Sequence, residues 1–381
     1  MSLRIQQLFL THFRNYENLH LKDIGSLTLF VGPNAVGKTN IIEGVDLLTA
    51  LSSFRKPKIE QLVKWGEKSA RLEAHISDGS RSLNLMLRIE DNQKSYYLNE
   101  KPKRIQDIRG LLPAVCFSPD DLNLIKGSQS IKRYALDALG SQLSSNYYAV
   151  RKDYEKILKQ KNRMLKEMTT AAYLASIDEV LVSIGAQLSF KRAEILRKLT
   201  VYLQDFYHTI AGKSEKIEIT YIPSWLENNP EIFSQRDFTI DEARHLLAEK
   251  IRVGSEDEIQ RKRTLWGPHT DSIEFFIKGK NAGIYGSQGQ QRSLVLSFKL
   301  AQVALIQEIL GQKPILLLDD VMSELDTARR NALMDFISDD IQTFITTTDL
   351  KYFNETVLQR ARIITLSKTG SSLTELSERG V

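Results

Sequence analysis

The stretch Leu27–Ile42 limits most narrowly what this chain can fold into, because it reads continuously as a strand, a glycine-rich loop and a helix start. The run Leu27–Val31 is apolar throughout, which is typical of a buried strand. The spacing G-x-x-x-x-G-K-T runs from Gly32 to Thr39, and Asn40–Leu51 continues with helical periodicity. The flanking strand and helix are the context that a phosphate-binding loop requires, so the sequence predicts a nucleotide site.

The chemistry of that site follows from its residue types. Gly32 and Gly37 allow a tight turn in which backbone N–H groups and the helix N-terminus face phosphate oxygens. Lys38 adds a cation for the β- and γ-phosphates, and the Thr39 hydroxyl is placed to ligate a bridging Mg²⁺, so ATP and Mg²⁺ are the expected cofactors. The predicted nucleotide-binding residues are Gly32, Pro33, Asn34, Ala35, Val36, Gly37, Lys38, Thr39 and Asn40.

Length and charge set the broader frame. A chain of 381 residues is expected to form about two domains, or one domain with a large insertion. The net charge of +5 favours an anionic partner only mildly, because 52 basic residues face 47 acidic ones. The single cysteine, Cys116, excludes a disulfide framework and indicates a reducing compartment. We find no leader-like segment and no apolar run that approaches the length of a membrane span, so we expect a cytoplasmic protein without a membrane partner.

Alternating apolar residues predict short strands before the nucleotide motif, and they predict an antiparallel sheet made of the strands that follow the nucleotide helix. The strand candidates are Leu3–Phe13, Leu19–Leu21, Ala70–Ile76, Leu83–Ile89 and Lys94–Leu98. The loop Ser53–Lys58 is basic and contains one aromatic residue. Arg55 and Lys56 in this loop are candidates for contact with a nucleic-acid backbone, although a solvated basic loop has the same composition.

A helical insertion follows, because there is no proline and little glycine between Asp120 and Ile222. Apolar residues recur at three- and four-residue steps from Tyr147 to Met168 and again from Tyr173 to Leu188, which predicts two long antiparallel helices joined near Thr169 and Thr170. We expect an inserted helical arm at residues 119–254 and an ATPase domain at residues 1–118 plus 255–381.

The first of these helices carries basic residues between its apolar positions: Arg151, Lys152, Lys156, Lys159, Lys161, Arg163 and Lys166. These residues could form an ordinary solvent-exposed face of the helix. Alternatively, they could form a surface that contacts the phosphates of DNA. The DNA-binding candidates on this helix are Lys152, Lys156, Lys159 and Arg163.

A second group of motifs lies near the C-terminus. Ser287-Gln288-Gly289-Gln290 opens a helix, and a serine hydroxyl with free amide groups at a helix start suits a γ-phosphate. The apolar strand Ile315–Leu318 then ends in Asp319 and Asp320, a Walker B pattern. We expect Asp319 to hold Mg²⁺ together with Thr39, and Asp320 to orient the attacking water in catalysis with Lys38.

These motifs, in this order and with a helical insertion between them, resemble the ABC-type ATPases of the SMC and DNA-repair branch, and within that branch the RecF family. The resemblance spans residues 13 to 326. The matching segments are Phe13–Tyr16, Gly37–Asn40, Ser53–Arg55, Phe117–Leu122, Gly267–His269, Ser287–Arg292 and Leu318–Asp326. It implies an α/β fold: an ABC-type P-loop ATPase head with mixed sheets and an inserted helical lobe resembling an antiparallel coiled coil. It also adds Arg14 to the nucleotide-binding residues.

The resemblance implies a DNA-binding ATPase of recombinational repair that acts at single-strand gaps or junctions and works with RecR and RecO to load the RecA recombinase. It further implies links to replication recovery and the SOS response. Two copies should close around ATP, with the signature Ser287, Gln288, Gly289 and Gln290 acting in trans. Asp320 stands where transporters carry a longer glutamate, so hydrolysis should be slow. Thr348 replaces a histidine at the switch position, and the Q-loop glutamine is not placed.

Two other readings stay open. A structural SMC-like DNA clamp would need a far longer coiled coil than the stretch from Asn146 to Phe206 allows. A transporter nucleotide-binding subunit would be smaller and would lack a basic helical hairpin of this length.

Overall fold

A computed structural model describes residues 2–168, 170–212, 215–226 and 238–367. The chain divides into two compact units, one from residues 1–122 with 302–381 and one from residues 123–301. The second unit begins close to the expected start of the inserted arm at residue 119, but it extends to residue 301 rather than 254. The reason is that the strand Ser272–Ile277 pairs with Ile217–Ile222, which follows the arm helices directly.

Strands occur in both units. In chain order they are β1 (Arg4–Phe13), β2 (Tyr16–Leu21), β3 (Leu27–Val31), β4 (Ser69–Ser77), β5 (Ser82–Glu90), β6 (Gln93–Leu98), β7 (Lys101–Lys103), β8 (Ala114–Phe117), β9 (Ile217–Ile222), β10 (Ser272–Ile277), β11 (Lys280–Asn281), β12 (Ile315–Asp319), β13 (Thr343–Thr347) and β14 (Arg362–Thr365).

Helices are concentrated in the second unit. In chain order they are α1 (Lys38–Thr49), α2 (Ile105–Ile108), α3 (Gln129–Leu143), α4 (Ser145–Lys166), α5 (Ala171–Ala211), α6 (Ile240–Val253), α7 (Ser255–Arg261), α8 (Ala282–Tyr285), α9 (Gln288–Leu310), α10 (Thr327–Phe336) and α11 (Glu355–Arg360).

A parallel sheet with the order β14-β3-β13-β12-β8 carries the nucleotide motif in the first unit. Its central strands are fully buried along β12 and β13, which explains their nearly continuous apolar or threonine-rich sequences. β13 lies between β3 and β12, so Ile345 stands beside both Leu29 and Leu318. The carboxyl ends of parallel strands share one edge, and the phosphate loop and the two acidic residues therefore meet there.

An antiparallel sheet with the order β2-β1-β4-β5-β6-β7 completes the first unit. It contains the three predicted strands that follow α1, as β4, β5 and β6, and β1 and β2 join the same sheet. α1 packs against strands of both sheets, and ten of its twelve residues are buried. The shared core includes Leu10 and Leu72 from the antiparallel sheet and Leu317 and Phe344 from the parallel sheet. The helix that begins at the phosphate loop is thus fixed on two sides.

In the second unit α4 and α5 form the predicted antiparallel helix pair. Lys161 of α4 forms an ion pair with Asp178 of α5 at 2.5 Å. Further along α5, Arg192 forms an ion pair with Asp137 of α3 at 2.7 Å. Thr169, in the expected turn, lies outside the described residues. β9, β10 and β11 form a three-stranded antiparallel sheet beside these helices.

The helix periodicity was wrong at four positions. Met168, expected as the last apolar position of the first helix, lies just beyond α4 and is 74% exposed. Lys161, expected on the basic face, has 1% of its side chain exposed and bridges Asp178 and Glu258, each at 2.5 Å. Tyr173 and Val180, expected in the apolar stripe of α5, are exposed, whereas the neighbouring Leu174 and Leu181 are buried. Residues one position apart on a helix face directions about 100° apart, so a pattern with three- and four-residue steps can be drawn through either set.

In the part of the chain that the structure describes, two helices are long and apolar enough to cross a membrane by length and composition, contrary to the expectation from the sequence. They are α5 and α9. In α9, 72% of the most apolar 18-residue segment is buried inside the protein, so the high hydropathy of this helix reflects its place in the core. In α5 the buried Arg192 forms an ion pair, as in a packed helix of a bundle.

Candidate nucleotide site

The phosphate loop joins β3 to α1 in a conformation that requires glycine. Gly37 has a φ of +112°, and a Cβ atom there would lie 2.7 Å from both the Asn15 Nδ2 and the Tyr16 hydroxyl. Ala35 also lies in the left-handed region, at a φ of +64°. The loop is therefore held in a strained, fixed path of the kind seen at ligand-binding backbone segments.

Lys38 lies across this loop. Its Nζ donates to the carbonyl oxygens of Gly32 at 2.7 Å and Pro33 at 2.9 Å, and only 6% of the residue is exposed. Burial lowers the pKa of Lys38, while the nearby carboxylates of Asp320 and Asp319 oppose that shift. The ammonium group is thus held at the loop by weak neutral acceptors, from which an anion of higher charge can draw it.

Asp319 ends β12 directly beside the loop. Its Oδ1 accepts hydrogen bonds from the Thr39 hydroxyl at 2.9 Å and from the Thr346 hydroxyl at 2.8 Å. Burial raises the pKa of Asp319, and the two hydroxyl donors counteract this shift. The structure therefore brings together the two residues predicted to share Mg²⁺ and adds Thr346, which the sequence did not single out.

Asp320 follows with a left-handed backbone at a φ of +53°. Its N–H donates to the Thr346 hydroxyl at 2.9 Å, so one buried threonine contacts both acidic residues. Burial raises the pKa of Asp320, and Lys38 is the main opposing charge. A half-buried carboxylate beside a phosphate loop can orient a water molecule by a hydrogen bond, and it can accept a proton from that water.

The donor set fits Mg²⁺. The Thr39 hydroxyl and the Asp319 carboxylate are hard oxygen ligands, and they already lie within hydrogen-bond distance of each other. No group of three or more His, Cys, Asp or Glu side chains that could hold a metal occurs within residues 2–168, 170–212, 215–226 and 238–367. The ion would therefore complete its coordination with phosphate oxygens and water, as Mg²⁺ usually does.

A hairpin tip between β1 and β2 supports the loop from a distant part of the sequence. The Tyr16 hydroxyl donates to the Gly37 carbonyl at 3.0 Å, and Asn15 donates to the Val36 carbonyl at 3.3 Å. Asn40 in turn donates to Asn15 Oδ1 at 2.7 Å. Sequence reasoning missed Asn15 and Tyr16 as site residues, although both lie in a segment that carried the family resemblance.

Glu43 is a fully buried carboxylate that organises the arginines near the loop. It accepts two hydrogen bonds from Arg14, at 2.7 and 2.8 Å, and one from Ser53 at 2.6 Å. Arg55 lies 3.4 Å from the same carboxylate and donates to Asn40 Oδ1 at 2.9 Å. Arg14 is thus placed behind the loop and tied to Glu43, whereas Arg55 reaches the residue that follows Thr39.

Lys56, the second basic candidate of this loop, has a φ of +50°. Burial lowers its pKa, and the carboxylates of Asp121 and Asp120 oppose the shift. Asp120 and Asp121 belong to Phe117–Leu122, one of the segments that carried the family resemblance. Lys56 therefore faces acidic side chains, which weakens its case as a free DNA contact.

The signature segment lies in the second unit. The Ser287 hydroxyl accepts from the Gln290 N–H at 3.2 Å, and the Gln290 side chain accepts from the Ser287 N–H at 2.9 Å. This reciprocal pair is a capping box that starts α9. Ser287 and Gln288 are exposed at that helix start, whereas Gly289 is half-buried.

The four basic candidates of α4 share one exposed face. They are Lys152, Lys156, Lys159 and Arg163. Lys152 pairs with Glu155 at 2.9 Å, and Arg163 pairs with Glu167 at 2.7 Å. Exposed pairs of this kind are weak, so both cations stay available to a phosphate. At the switch position Thr348 is exposed after β13.

The chain is similar to a family of known proteins over nearly its whole length. Residues 4–372 match a family model described as RecF/RecN/SMC N terminal domain. The DNA replication and repair protein RecF of Lactobacillus johnsonii is 35% identical over 364 residues, which cover 94% of this chain and 96% of that protein.

Solved structures extend the similarity to the fold. A structure of the recombination mediator protein RecF-ATPrS in RecFOR pathway has a TM-score of 0.88 and 28% identity, and covers 99% of both chains. The Smc head domain of Pyrococcus furiosus, bound to the C-terminal domain of ScpA, has a TM-score of 0.55 and 17% identity over 99% of this chain and 97% of that one. The ABC-type head with an inserted helical lobe, predicted from the sequence, is confirmed as the fold class.

Proposed function

The chain belongs to the RecF family, and from that premise we propose that it is an ATP-dependent DNA-binding protein of recombinational repair and replication restart. In this proposal ATP brings two copies together on DNA at single-strand gaps or junctions. RecO and RecR act with the dimer to load the RecA recombinase, as part of the response to DNA damage in the cytoplasm. ATP hydrolysis is slow and serves as a switch.

One observation carries the proposal. The Thr39 hydroxyl at the end of the phosphate loop lies 2.9 Å from the carboxylate of Asp319, which is 280 residues further along the chain. These are the two protein oxygens that hold Mg²⁺ on ATP in P-loop enzymes. Relatives described as RecF-ATP and RecF-ATPrS support the same nucleotide here.

Asp320 is the proposed water-orienting residue. Its side chain is one methylene shorter than a glutamate, so a water held by it lies further from the phosphate that it must attack. Burial raises the pKa of Asp320, and its carboxylate form can accept a proton from water. Phosphoryl transfer depends mainly on how the reacting groups are positioned. The greater distance from the water to the phosphate therefore favours slow turnover.

Dimerisation is the proposed role of the signature. Ser287 and the first amide groups of α9 are exposed in the second unit, whereas the phosphate loop belongs to the first. We propose that each signature contacts the γ-phosphate bound to the other copy, so that the dimer forms only when ATP is present. A helix N-terminus with a serine hydroxyl is suited to that anion.

Light scattering with ATP tests this dimer. Ser287→Arg should abolish dimer formation because a bulky cation enters the partner's nucleotide space, while ATP binding to the monomer stays nearly intact. Ser287→Ala is the matched control, since it removes the same capping hydroxyl without adding bulk, and it should still dimerise, though less stably. Asp320→Asn should lengthen the dimer's life. Dimers of Ser287→Arg that form as readily as wild type would refute the assignment in trans.

A further inference from the structure

One tryptophan of the first unit has no role in the nucleotide site. Trp65 is 97% exposed, although Trp is usually at least half-buried. The other two tryptophans differ, since Trp225 is 4% exposed and Trp266 is half-buried. Tryptophan is enriched among the residues that dominate binding at interfaces.

Trp65 is presented by a fixed turn. The Glu67 N–H donates to the Lys64 carbonyl at 3.0 Å, and Gly66, at the third position of this turn, has a φ of +89°. That combination defines a type II turn, in which glycine is the favoured residue. The Lys64 N–H donates to the His12 carbonyl at 2.7 Å, which anchors the turn to β1. The indole is therefore held outward by ordered backbone.

The surroundings of the turn are basic. The segment from Arg55 to Arg71 contains six basic and two acidic residues. The side chain of Lys58 is 79% exposed, and Lys68 is exposed as well. No other large hydrophobic side chain between Ile59 and Arg71 is exposed, so the indole stands in a net basic segment instead of within an apolar patch. Lys58 and Lys64 form ion pairs with Glu60 at 3.7 Å and Glu17 at 3.2 Å, and exposed pairs of this kind leave the lysines available to phosphates. The buried core of a protein interface is more apolar than the rest of the surface, so a protein partner would favour apolar neighbours around the indole.

A single aromatic ring among cations matches one class of ligand. Single-stranded nucleic acid offers ring faces for stacking and phosphates for lysines, whereas the bases of a duplex are already stacked on each other. We propose that Trp65 stacks on an unpaired base of DNA, while the neighbouring lysines contact the adjoining phosphates. This inference rests on the proposed DNA-binding function and specifies which part of a gap or junction the first unit recognises.

Tryptophan fluorescence provides a direct test, because the exposed indole dominates any change caused by DNA at the surface. The probes are a duplex and the same duplex with a short gap of unpaired thymidines, each with ATP. Gapped DNA should quench the emission of the wild-type protein, and the duplex should not. The quenching should disappear in Trp65→Ala, which leaves the fold intact because the side chain makes few contacts.

Affinity gives a second readout. Trp65→Ala should bind gapped DNA roughly five- to a hundredfold more weakly, and the duplex within about twofold of wild type. Trp65→Phe should recover part of the loss, because it restores an aromatic face. Val201→Ala removes another exposed apolar side chain, 64% exposed in the second unit, and should change neither affinity.

The outcomes separate the inference from the proposed function. Equal affinity of Trp65→Ala and wild type for gapped DNA, or equal quenching by both DNAs, would overturn the stacking assignment while DNA binding itself stands. Failure of the wild-type protein to bind either DNA would overturn both. Loss of binding in Trp65→Ala that spares duplex DNA supports it.

Discussion

Thr346→Val should reveal how strongly the acidic pair depends on its neighbouring strand. The substitution keeps the shape of a buried β-branched side chain but removes the hydroxyl that donates to Asp319 and accepts from the Asp320 N–H. The first bond involves a charged acceptor and the second a neutral amide. Together their loss should lower the free energy of unfolding by about 2–4 kcal/mol at neutral pH.

The loss of stability in Thr346→Val should depend on pH. Burial already raises the pKa of Asp319 above its ordinary value of 3.8, and removal of the Thr346 hydroxyl, which favours the charged form, raises it further. A carboxyl whose pKa is higher in the folded than in the unfolded state makes the folded protein less stable as the pH rises. The difference in the free energy of unfolding between Thr346→Val and wild type should therefore be largest at neutral pH, and it should shrink as the pH falls towards 3.8.

Urea unfolding measures this difference. The relevant transition is the one that Mg·ATP shifts to higher urea, because ligand binding marks the nucleotide-binding unit. Thr343→Val is the matched control: Thr343 is equally buried on β13, but its hydroxyl donates to the neutral carbonyl of Ile341 at 3.1 Å. The control should lose about 1 kcal/mol at every pH. A loss in Thr346→Val no larger than in the control, or one independent of pH, would refute the reasoning.

Three further changes follow from the site. Lys38→Met should abolish ATP binding, as measured by calorimetry, because it removes the cation at the phosphate loop; unchanged affinity in a folded variant would remove the loop from the nucleotide site. Glu43→Ala should destabilise the first unit by roughly 3–5 kcal/mol in urea, because it leaves Arg14 unpaired with 16% of its side chain exposed; a neutral effect would contradict the role of Glu43. Alanine at all four basic positions of α4 should weaken DNA binding and flatten its salt dependence by up to about one unit of slope per lost phosphate contact; an unchanged slope would place DNA elsewhere. Those positions are Lys152, Lys156, Lys159 and Arg163.

Local motifs were predictable from the sequence because their chemistry lies within a few consecutive residues. The phosphate loop and Asp319 could be identified in that way, and parallel strand order brings them together. Thr346 could not be identified, because its importance arises from the position of β13 between β3 and β12. That order is not encoded in any short segment.

The supporting residues of the loop were missed for a related reason. Asn15 and Tyr16 contact Val36 and Gly37 across 21 residues. Glu43 binds side chains from two other segments, Arg14 at the tip between β1 and β2 and the loop that holds Ser53 and Arg55. Periodicity had a different weakness, because it marks which positions share a helix face but not which cations lie on the buried side. Lys161 was therefore assigned to the basic face, although its charge is neutralised by Asp178 and Glu258 in the interior.

Filter binding with duplex and gapped DNA, each with and without ATP, tests the central claim most directly. ATP should strengthen binding to gapped DNA, and this gain should disappear in Lys38→Met while the fold is unchanged by circular dichroism. The same affinity with and without ATP, in a wild-type protein that demonstrably binds the nucleotide, would contradict an ATP-operated DNA switch.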